Sequence, residues 1–424
     1  MRAPDRKRVH VLFVGNSALY FILHRIGLAS ALVARGYRVG ALLPAPVSVE
    51  HRATVADAGI AIYEYPYKPA GMNPLVEVRT LFALWRHYRD LKPDIVHHLT
   101  LKPSLYGGGV SRWLGTEKRL QSIMGLGFLF NTTHLIPRAI RTVLSPAFRY
   151  ALGGRQSILT LENSDDYERL RAHGSLRSNN WPRVEILPGS GVDPNDYDPD
   201  AKPEEPPIVA FAGRLTRSKG IVEFVEAARL ARAKYPASRF VVCGGIVAGN
   251  PAAVSEADLL GWAGEGVIEW WGHRDDMPSV MGRVSIVVLP SYHGEGLPRA
   301  LLEAAAAARP IITTDTEGCR EIGRNGINGL LVPVGDAAAL AEAFLRLLDN
   351  PELRARMGRE GRRIVMQEFS LEIVIRKTLA LYDQIFDEPT VVAAGASAST
   401  LDEASARRAA TPIQPKKQND SSLL

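Results

Sequence analysis

Over the first forty residues, short unbroken apolar runs trade places with stretches of helical spacing. RVHVLFVG carries its apolar run to Gly15 and predicts a buried strand. ALYFILHRIGLASALVARG then repeats apolar residues at helical intervals and stops at Gly36, a residue suited to a helix C-cap. YRVGALLP predicts the next strand, and IAIYEYP, DIVHHL, KRLQSIMG and QSILTLE predict four more, with helical segments between most of them. Strands that alternate with helices in this way form a parallel sheet covered on both faces.

The pattern breaks at 188–206, where PGSGVDPNDYDPDAKPEEP is rich in Pro, Asp and Gly and has no period. It restarts with PIVAFAG, a helix from about 220, RFVVCGG, a helix near 255–263, GVIEWWG, VSIVVLP, a further helix, PIITTD and GLLVP. Helical spacing then fills residues 337–387. The expected organisation is one α/β domain over 1–187, a linker over 188–206 and a second α/β domain over 207–387. The last helices are expected to pack back toward the first domain. Residues 388–424 are small, polar and aperiodic and predict a disordered tail. Two doubly wound domains joined by a linker bind ligands in the cleft between them, on loops that follow the carboxyl ends of strands.

Composition narrows the partners. Residues 1–150 carry 20 Lys and Arg against 8 Asp and Glu, and the remainder carries 31 against 37. A basic first half calls for an anionic partner: a nucleic acid, a phospholipid surface or a phosphorylated substrate. No nucleic-acid reading motif accompanies the charge. With only Cys243 and Cys319, the chain has no disulfide framework or cysteine zinc site, which suits a reducing compartment. The first 25 residues imitate a signal peptide, but Asn16, His24 and Arg25 interrupt the apolar run. No run approaches the roughly 18–20 apolar residues of a spanning helix, so a cytoplasmic protein is expected.

The candidate chemistry sits in strand-end loops. SYHGEGLPRALLEAAAA, residues 291–307, places Glu295 in a glycine-flanked loop and Glu303 in an apolar, hence buried, helix. A buried carboxylate is costly unless paired. Arg299, four residues back, is the weaker orientation for a helical ion pair, so Glu303 is expected to answer to ligand hydroxyls. Along a helix axis eight residues would span about 12 Å, a length that suits the ribose-to-hexose separation of a nucleotide sugar. Backbone N–H groups at Gly296 and Leu297 favour phosphate between the two carboxylates. In FAGRLTRSKGI, Arg214 and Lys219 follow a strand and can neutralise a diphosphate.

In the first half, FVGNSALYF lacks the Gly-x-Gly-x-x-Gly of nicotinamide enzymes, and no P-loop motif occurs. VHHLTLKPSLYGG supplies His97, His98 and Lys102; without a third ligand the histidines predict a strand pair rather than a metal site. SIMGLGFLF sets apolar residues around two glycines, for core packing or contact with an apolar acceptor. Between 134 and 155, Arg138, Arg141, Arg149 and Arg155 interleave with apolar residues, as in a helix lying on an anionic bilayer or an ordinary surface helix.

GRLTRSKG, EGLPRALLEA and EIGRNGINGLLVP together resemble the retaining glycosyltransferases of family 4. The similarity extends over about residues 8–387. NPLVEVRTLFAL, PDIVHHLTLKPSLYG, GLGFLF, GHRDDMPSVM and DTEGCREI are similar to a bacterial branch that extends sugars on undecaprenyl diphosphate and includes N-acetylgalactosaminyltransferases. The resemblance implies a GT-B fold, two Rossmann-like domains facing across a cleft, and a UDP-sugar donor without cofactor or metal. It implies that Glu303 binds the donor ribose, that Glu295 holds the hexose, and that the Gly296 and Leu297 backbone positions it. Arg214 and Lys219 would stabilise the departing diphosphate. Gly244, Gly272, His273 and Arg274 would lie on the donor, and Gly15 and Asn16 would close on its phosphates. Arg25 and Lys102 would meet the diphosphate of a lipid-linked saccharide, and the helix bearing Arg138, Arg141 and Arg149 would hold the enzyme to the inner face of the cell membrane. Front-side attack with retained configuration is the mechanism implied. Met124–Gly125 stands where many family members have a histidine, so no role of that histidine carries over. A UDP-sugar 2-epimerase of the same fold and a catalytically silent nucleotide-sugar scaffold are the competing readings.

Overall fold

The computed structural model describes residues 9–68, 73–126, 135–174, 176, 182–247, 250, 252–292 and 296–387, with the side chains of 135–143 left aside. Two parallel sheets carry the fold. The first contains β1 (His10–Val14), β2 (Arg38–Pro44), β3 (Ala61–Tyr65), β4 (Ile95–Leu99), β5 (Arg119–Ile123), β6 (Ser157–Leu161) and β7 (Arg183–Ile186). Its strand order is β3-β2-β1-β4-β5-β6-β7. The second contains β8 (Ile208–Ala212), β9 (Arg239–Cys243), β10 (Glu269–Gly272), β11 (Ile286–Leu289), β12 (Ile311–Thr314) and β13 (Gly329–Val332), ordered β10-β9-β8-β11-β12-β13. In both sheets the order reverses beside the first strand, the arrangement of a Rossmann-like fold. The two reversal points open crevices between β1 and β4 and between β8 and β11.

Covering helices bury both faces of each sheet, which is why the central strands read as continuous apolar runs. Every residue of β1, β4, β6 and β8 is buried. β7 has no such run: its sequence RVEI is half-exposed at the sheet edge, and the apolar pattern does not reveal it. His97 and His98 both lie within β4 and, as neighbours in a strand, point to opposite faces. His97 contacts the Tyr382 hydroxyl through Nδ1 and the Ser122 hydroxyl through Nε2, each at 2.8 Å. His98 Nε2 contacts the Tyr88 hydroxyl at 3.0 Å. Burial pushes His98 down to about 3 and His97 well below its ordinary value, so both are neutral core residues.

The stretch 188–206 is tightly held. Val192 pairs in parallel with Ser370: its N–H donates to the Phe369 carbonyl and its carbonyl accepts from Leu371 N–H. Gly191 has a positive φ of 72°, and a Cβ there would stand 2.9 Å from Leu371 Cα. From Leu371 the final helix, Leu371–Asp387, runs onto the first half of the chain. Its fully buried Tyr382 meets His97, and Leu371 and Ile375 flank Gly27.

Candidate active site

The loops after β8, β9, β10 and β11 converge because glycines let their backbones touch. A Cβ at Gly244 would fall inside the carbonyl oxygen of Gly213, and one at Gly220, where φ is 76°, inside that of Pro290. Gly213 N–H donates to the Cys243 carbonyl at 3.0 Å, and Gly244 N–H to that of Gly272 at 2.8 Å. Ser218 accepts at its carbonyl from Tyr292 N–H at 2.9 Å. This contact sets the Arg214–Lys219 loop against the start of the loop after β11. Glu295 itself lies outside the described residues.

These loops frame a cavity of about 450 Å³ whose lining includes Arg214, Gly244, His273, Arg274, Arg299 and Glu303, with Leu19 and Leu23 from the first half of the chain. Arg214 is exposed on it. Gly272 and Lys219 lie outside the lining, Lys219 in the short 3-10 turn Arg217–Lys219. His273 and Arg274 pair with Asp275 at 3.2 Å and with Asp276 at 2.7 Å. Cys243 forms part of the buried floor, and burial pushes its thiol up to about 12, so it presents no thiolate.

Glu303 is only 6 % exposed, within the helix Arg299–Ala306. The ion pair discounted from the sequence does form: Arg299 Nε donates to Glu303 Oε1 at 2.8 Å. Arg299 can hold that geometry because its Nη1 also donates to the Leu23 carbonyl at 2.7 Å, across the cleft. Burial raises the Glu303 carboxyl, while Arg299 and a hydrogen bond from Tyr197 pull it the other way. A carboxylate has about four lone-pair sites, so acceptor capacity for ligand hydroxyls remains.

The opposite wall comes from the helix Ala18–Ala34 through Leu19 and Leu23; Gly15, Asn16 and Arg25 lie in or before that helix but outside the cavity's lining. Gly15 N–H donates to the Leu42 carbonyl, and its own carbonyl accepts from the Tyr65 hydroxyl at 2.8 Å. Asn16 Oδ1 is buried without a hydrogen bond. Arg25 is 4 % exposed, reaches Met124 Sδ at 3.2 Å, and leaves Nε without an acceptor. Among the described residues no carboxylate lies within ion-pair distance of it. His24, one position before, contacts the Ser190 hydroxyl at 2.9 Å and is driven down to about 3 by burial and by Arg299 and Arg25.

Lys102 is not brought to this cavity. Its ammonium donates to Glu77 at 2.9 Å and to the Lys68 carbonyl at 3.0 Å, which answers its charge inside the first half. Arg149 is tied to the Gly174 carbonyl at 2.7 Å. The side chains of Arg138 and Arg141 lie outside the described residues.

One residue of the cleft escaped the sequence reading. Glu162, at the end of β6, is buried and accepts from Leu297 N–H at 2.7 Å. A Cβ at Gly296 would fall inside the same carboxylate. The backbone to which the resemblance gives the donor hexose is therefore held here by a carboxylate from the opposite wall. Further contacts among the described residues cross the cleft, Arg299 to the Leu23 carbonyl and the ion pairs of Arg169 with Glu317 and of Arg320 with Asp165, the last at 3.9 Å.

Two family models divide the chain: glycosyl transferase 4-like over residues 10–162 and glycosyl transferases group 1 over residues 193–364. An alpha-maltose-1-phosphate synthase of Mycobacterium tuberculosis is 30% identical over 327 residues, 72% of this chain and 76% of that protein. The chain belongs to the glycosyltransferases. This glycosyltransferase is also 25% identical over 391 residues to a Campylobacter jejuni enzyme, N,N'-diacetylbacillosaminyl-diphospho-undecaprenol alpha-1,3-N-acetylgalactosaminyltransferase, covering 89% of this chain and 99% of that one. Among solved structures it resembles sucrose-phosphate synthase from Thermosynechococcus elongatus, with a TM-score of 0.70, 20% identity and coverage of 89% and 99%. Anabaena Alr3699/HepE in complex with UDP and glucose gives a TM-score of 0.70 at 18% identity, covering 89% and 100%. These likenesses establish the GT-B architecture of the glycosyltransferase.

Proposed function

We propose that the glycosyltransferase moves a hexose, read as an N-acetylhexosamine, from a UDP-sugar to a polyprenyl-diphosphate-linked saccharide in surface polysaccharide or glycan synthesis. The reaction retains anomeric configuration, needs no metal and takes place at an anionic membrane surface. The observation that carries the reading is the cleft itself: Arg214 and the buried Glu303 line one cavity on the second sheet, and Arg25, a buried cation with no ion-paired carboxylate among the described residues, lies in the helix that supplies the facing wall. A buried charge of that kind is costly unless a ligand completes it, and a diphosphate on the acceptor is the matching chemistry. The near end-to-end match to the Campylobacter enzyme, whose name specifies an undecaprenol-linked acceptor, supports the same class.

In this reading Glu303 accepts from the ribose hydroxyls, while Gly244, Gly272, His273 and Arg274 frame the base. Gly15 and Asn16 approach the phosphates from the first sheet. Arg214 and Lys219 supply positive charge where the leaving UDP gains negative charge, and such aimed charge stabilises the transition state more than the ground state. Glu295 and the Gly296–Leu297 backbone hold the hexose, for which Glu162 must yield the Leu297 N–H. The basic helix Leu135–Leu152, with Arg138, Arg141 and Arg149, meets the bilayer. No described helix is long and apolar enough to cross one.

Release of UDP from a panel of UDP-sugars, with and without undecaprenyl-diphosphate-linked saccharide, tests the proposal. Acceptor-dependent release is the expected result; acceptor-independent release would replace transfer by epimerisation, and no release from any donor would leave a scaffold. NMR of the product linkage tests retention, and unchanged turnover in EDTA tests metal independence. Lys219→Ala is expected to lower kcat by at least about a hundredfold with an unchanged circular dichroism spectrum.

A further inference from the structure

Sharing no lining residue with the cavity at Glu303, three helices of the first half leave a groove between them: Pro74–Leu91, Leu101–Trp113 and Leu135–Leu152. Its volume is about 650 Å³, and its walls include Val78, Phe82, Trp85, Tyr106, Trp113 and Tyr150. Phe82 is 61 % and Trp113 71 % exposed. A concave apolar site of this size is in the range of small-ligand pockets rather than of flat protein interfaces.

The glycines of the middle helix make the groove more than a packing fault. Residues 107–109 are all glycine. A Cβ at Gly107 would collide with His98 and the Tyr88 hydroxyl, and one at Gly108 would stand 2.6 Å from the Ala151 carbonyl oxygen. Close packing therefore accounts for both. Gly109 faces the groove, and a Cβ there would meet no described atom within 4 Å. Glycine inside a helix is destabilising relative to alanine, and the protein's own packing does not call for it at this position. The omitted side chain keeps the groove floor clear.

Position and charge identify what lies there. The helix Leu101–Trp113 starts directly after β4, at the carboxyl edge of the first sheet where the cleft opens. Leu105, Tyr106, Gly109, Val110 and Trp113 then step along the groove, the last about 18 Å from the helix start at 1.5 Å per residue. Cations ring the walls: Arg89 lies 4.4 Å from the Trp85 ring centroid, Arg112 4.7 Å from that of Tyr150, and Lys102 5.4 Å from that of Tyr106. Arg89 and Lys102 also pair with Asp90 and Glu77. The walls are helices whose backbones are already hydrogen-bonded, so a peptide strand finds no partners there. A hydrocarbon chain attached to an anionic head needs none.

We infer that this groove binds the isoprenoid chain of the lipid-linked acceptor, running from a diphosphate at the cleft edge past Tyr106 and Gly109 toward Trp113. The inference rests on the lipid-linked acceptor proposed above and adds to it a defined seat for the chain. An enzyme built this way grips a few isoprene units in addition to the sugar, so chain length enters its specificity.

The test compares wild type and Gly109→Phe on one saccharide carried by undecaprenyl diphosphate or by geranyl diphosphate, in the same detergent micelles. Wild type should prefer the long chain by on the order of tenfold in kcat/KM, from the apolar surface it buries. In Gly109→Phe that ratio should fall at least severalfold, with Gly109→Ala between the two. An unchanged ratio in a folded Gly109→Phe protein overturns the groove while leaving the transferase reading intact. If wild type turns over neither acceptor, the transferase reading fails, and tryptophan fluorescence titration with geranylgeranyl diphosphate decides the groove alone. Saturable binding by wild type that Gly109→Phe loses supports it, and absence of binding in wild type overturns it. Vesicles of phosphatidylglycerol without isoprenoid that give the same Gly109-dependent change would assign the groove to bilayer lipid, which also overturns the proposal.

Discussion

At the scale of single residues, the cleft is made of charges placed where folding alone does not want them. Arg25 is the plainest case, a buried guanidinium with no ion-paired carboxylate among the described residues. Replacing it by methionine is expected to raise stability by about 1–4 kcal/mol, the range seen when buried charged groups give way to apolar side chains of similar size. The same change should lower kcat/KM by at least about tenfold. A thermal melt and a rate measurement check the two halves, and a variant losing both stability and rate would make Arg25 a packing residue. Glu303 predicts a pH dependence. Its carboxyl is raised above 4.5 chiefly by burial, so protonation begins at higher pH than for an exposed glutamate. Donor KM should therefore rise as pH falls through the mildly acidic range above 4.5, whereas Glu303→Gln should have a raised KM that no longer changes there.

At the scale of elements, the site depends on backbones that approach without side chains between them. Gly244→Ala should push the loop after β8 away from that after β9, because its Cβ would occupy the place of the Gly213 carbonyl oxygen. Donor binding is expected to weaken by at least about tenfold, read by calorimetry with UDP, whereas Gly109→Ala at an open helix position should raise stability by up to about 1 kcal/mol. Elements of this kind were unequally legible in the sequence. HVLFV and IVAFA announce buried parallel strands because burial on both faces demands apolar residues at every position. RVEI at the sheet edge is partly exposed on both faces and carries no such signal. The Arg214–Lys219 loop was legible because glycines and cations follow a strand. Glu162 was not, since a carboxylate ending a strand looks like any cap until tertiary folding brings Leu297 to it. The Arg299–Glu303 pair was underrated for the same reason: the Leu23 carbonyl that steadies Arg299 lies 276 positions away in the chain.

At the scale of the whole molecule, the last helix ties the two sheets together. Tyr382→Phe would remove the hydroxyl at His97 Nδ1 and leave a fully buried ring nitrogen unsatisfied. A loss of about 1–3 kcal/mol is expected, read as a lower urea midpoint with both halves still melting together. Unchanged stability would mean that His97 finds another partner on its own sheet. Among the described residues, contacts of Glu162, Arg299, Arg169 and Arg320 cross the cleft, and in the proposed reading the donor replaces the first of them.

The pairing of Val192 with Ser370 gives that closure its mechanics. The chain passes between the halves twice, once outward and once on its return, and the two passages lie side by side and hydrogen-bonded. Two separate tethers would let the halves slide or shear. Two strands bound at one place form a single joint, the place where a hinge between the halves would lie. In the proposed reading the donor and acceptor walls would be aligned by this joint, whose Val192 and Ser370 lie outside the cavity's lining.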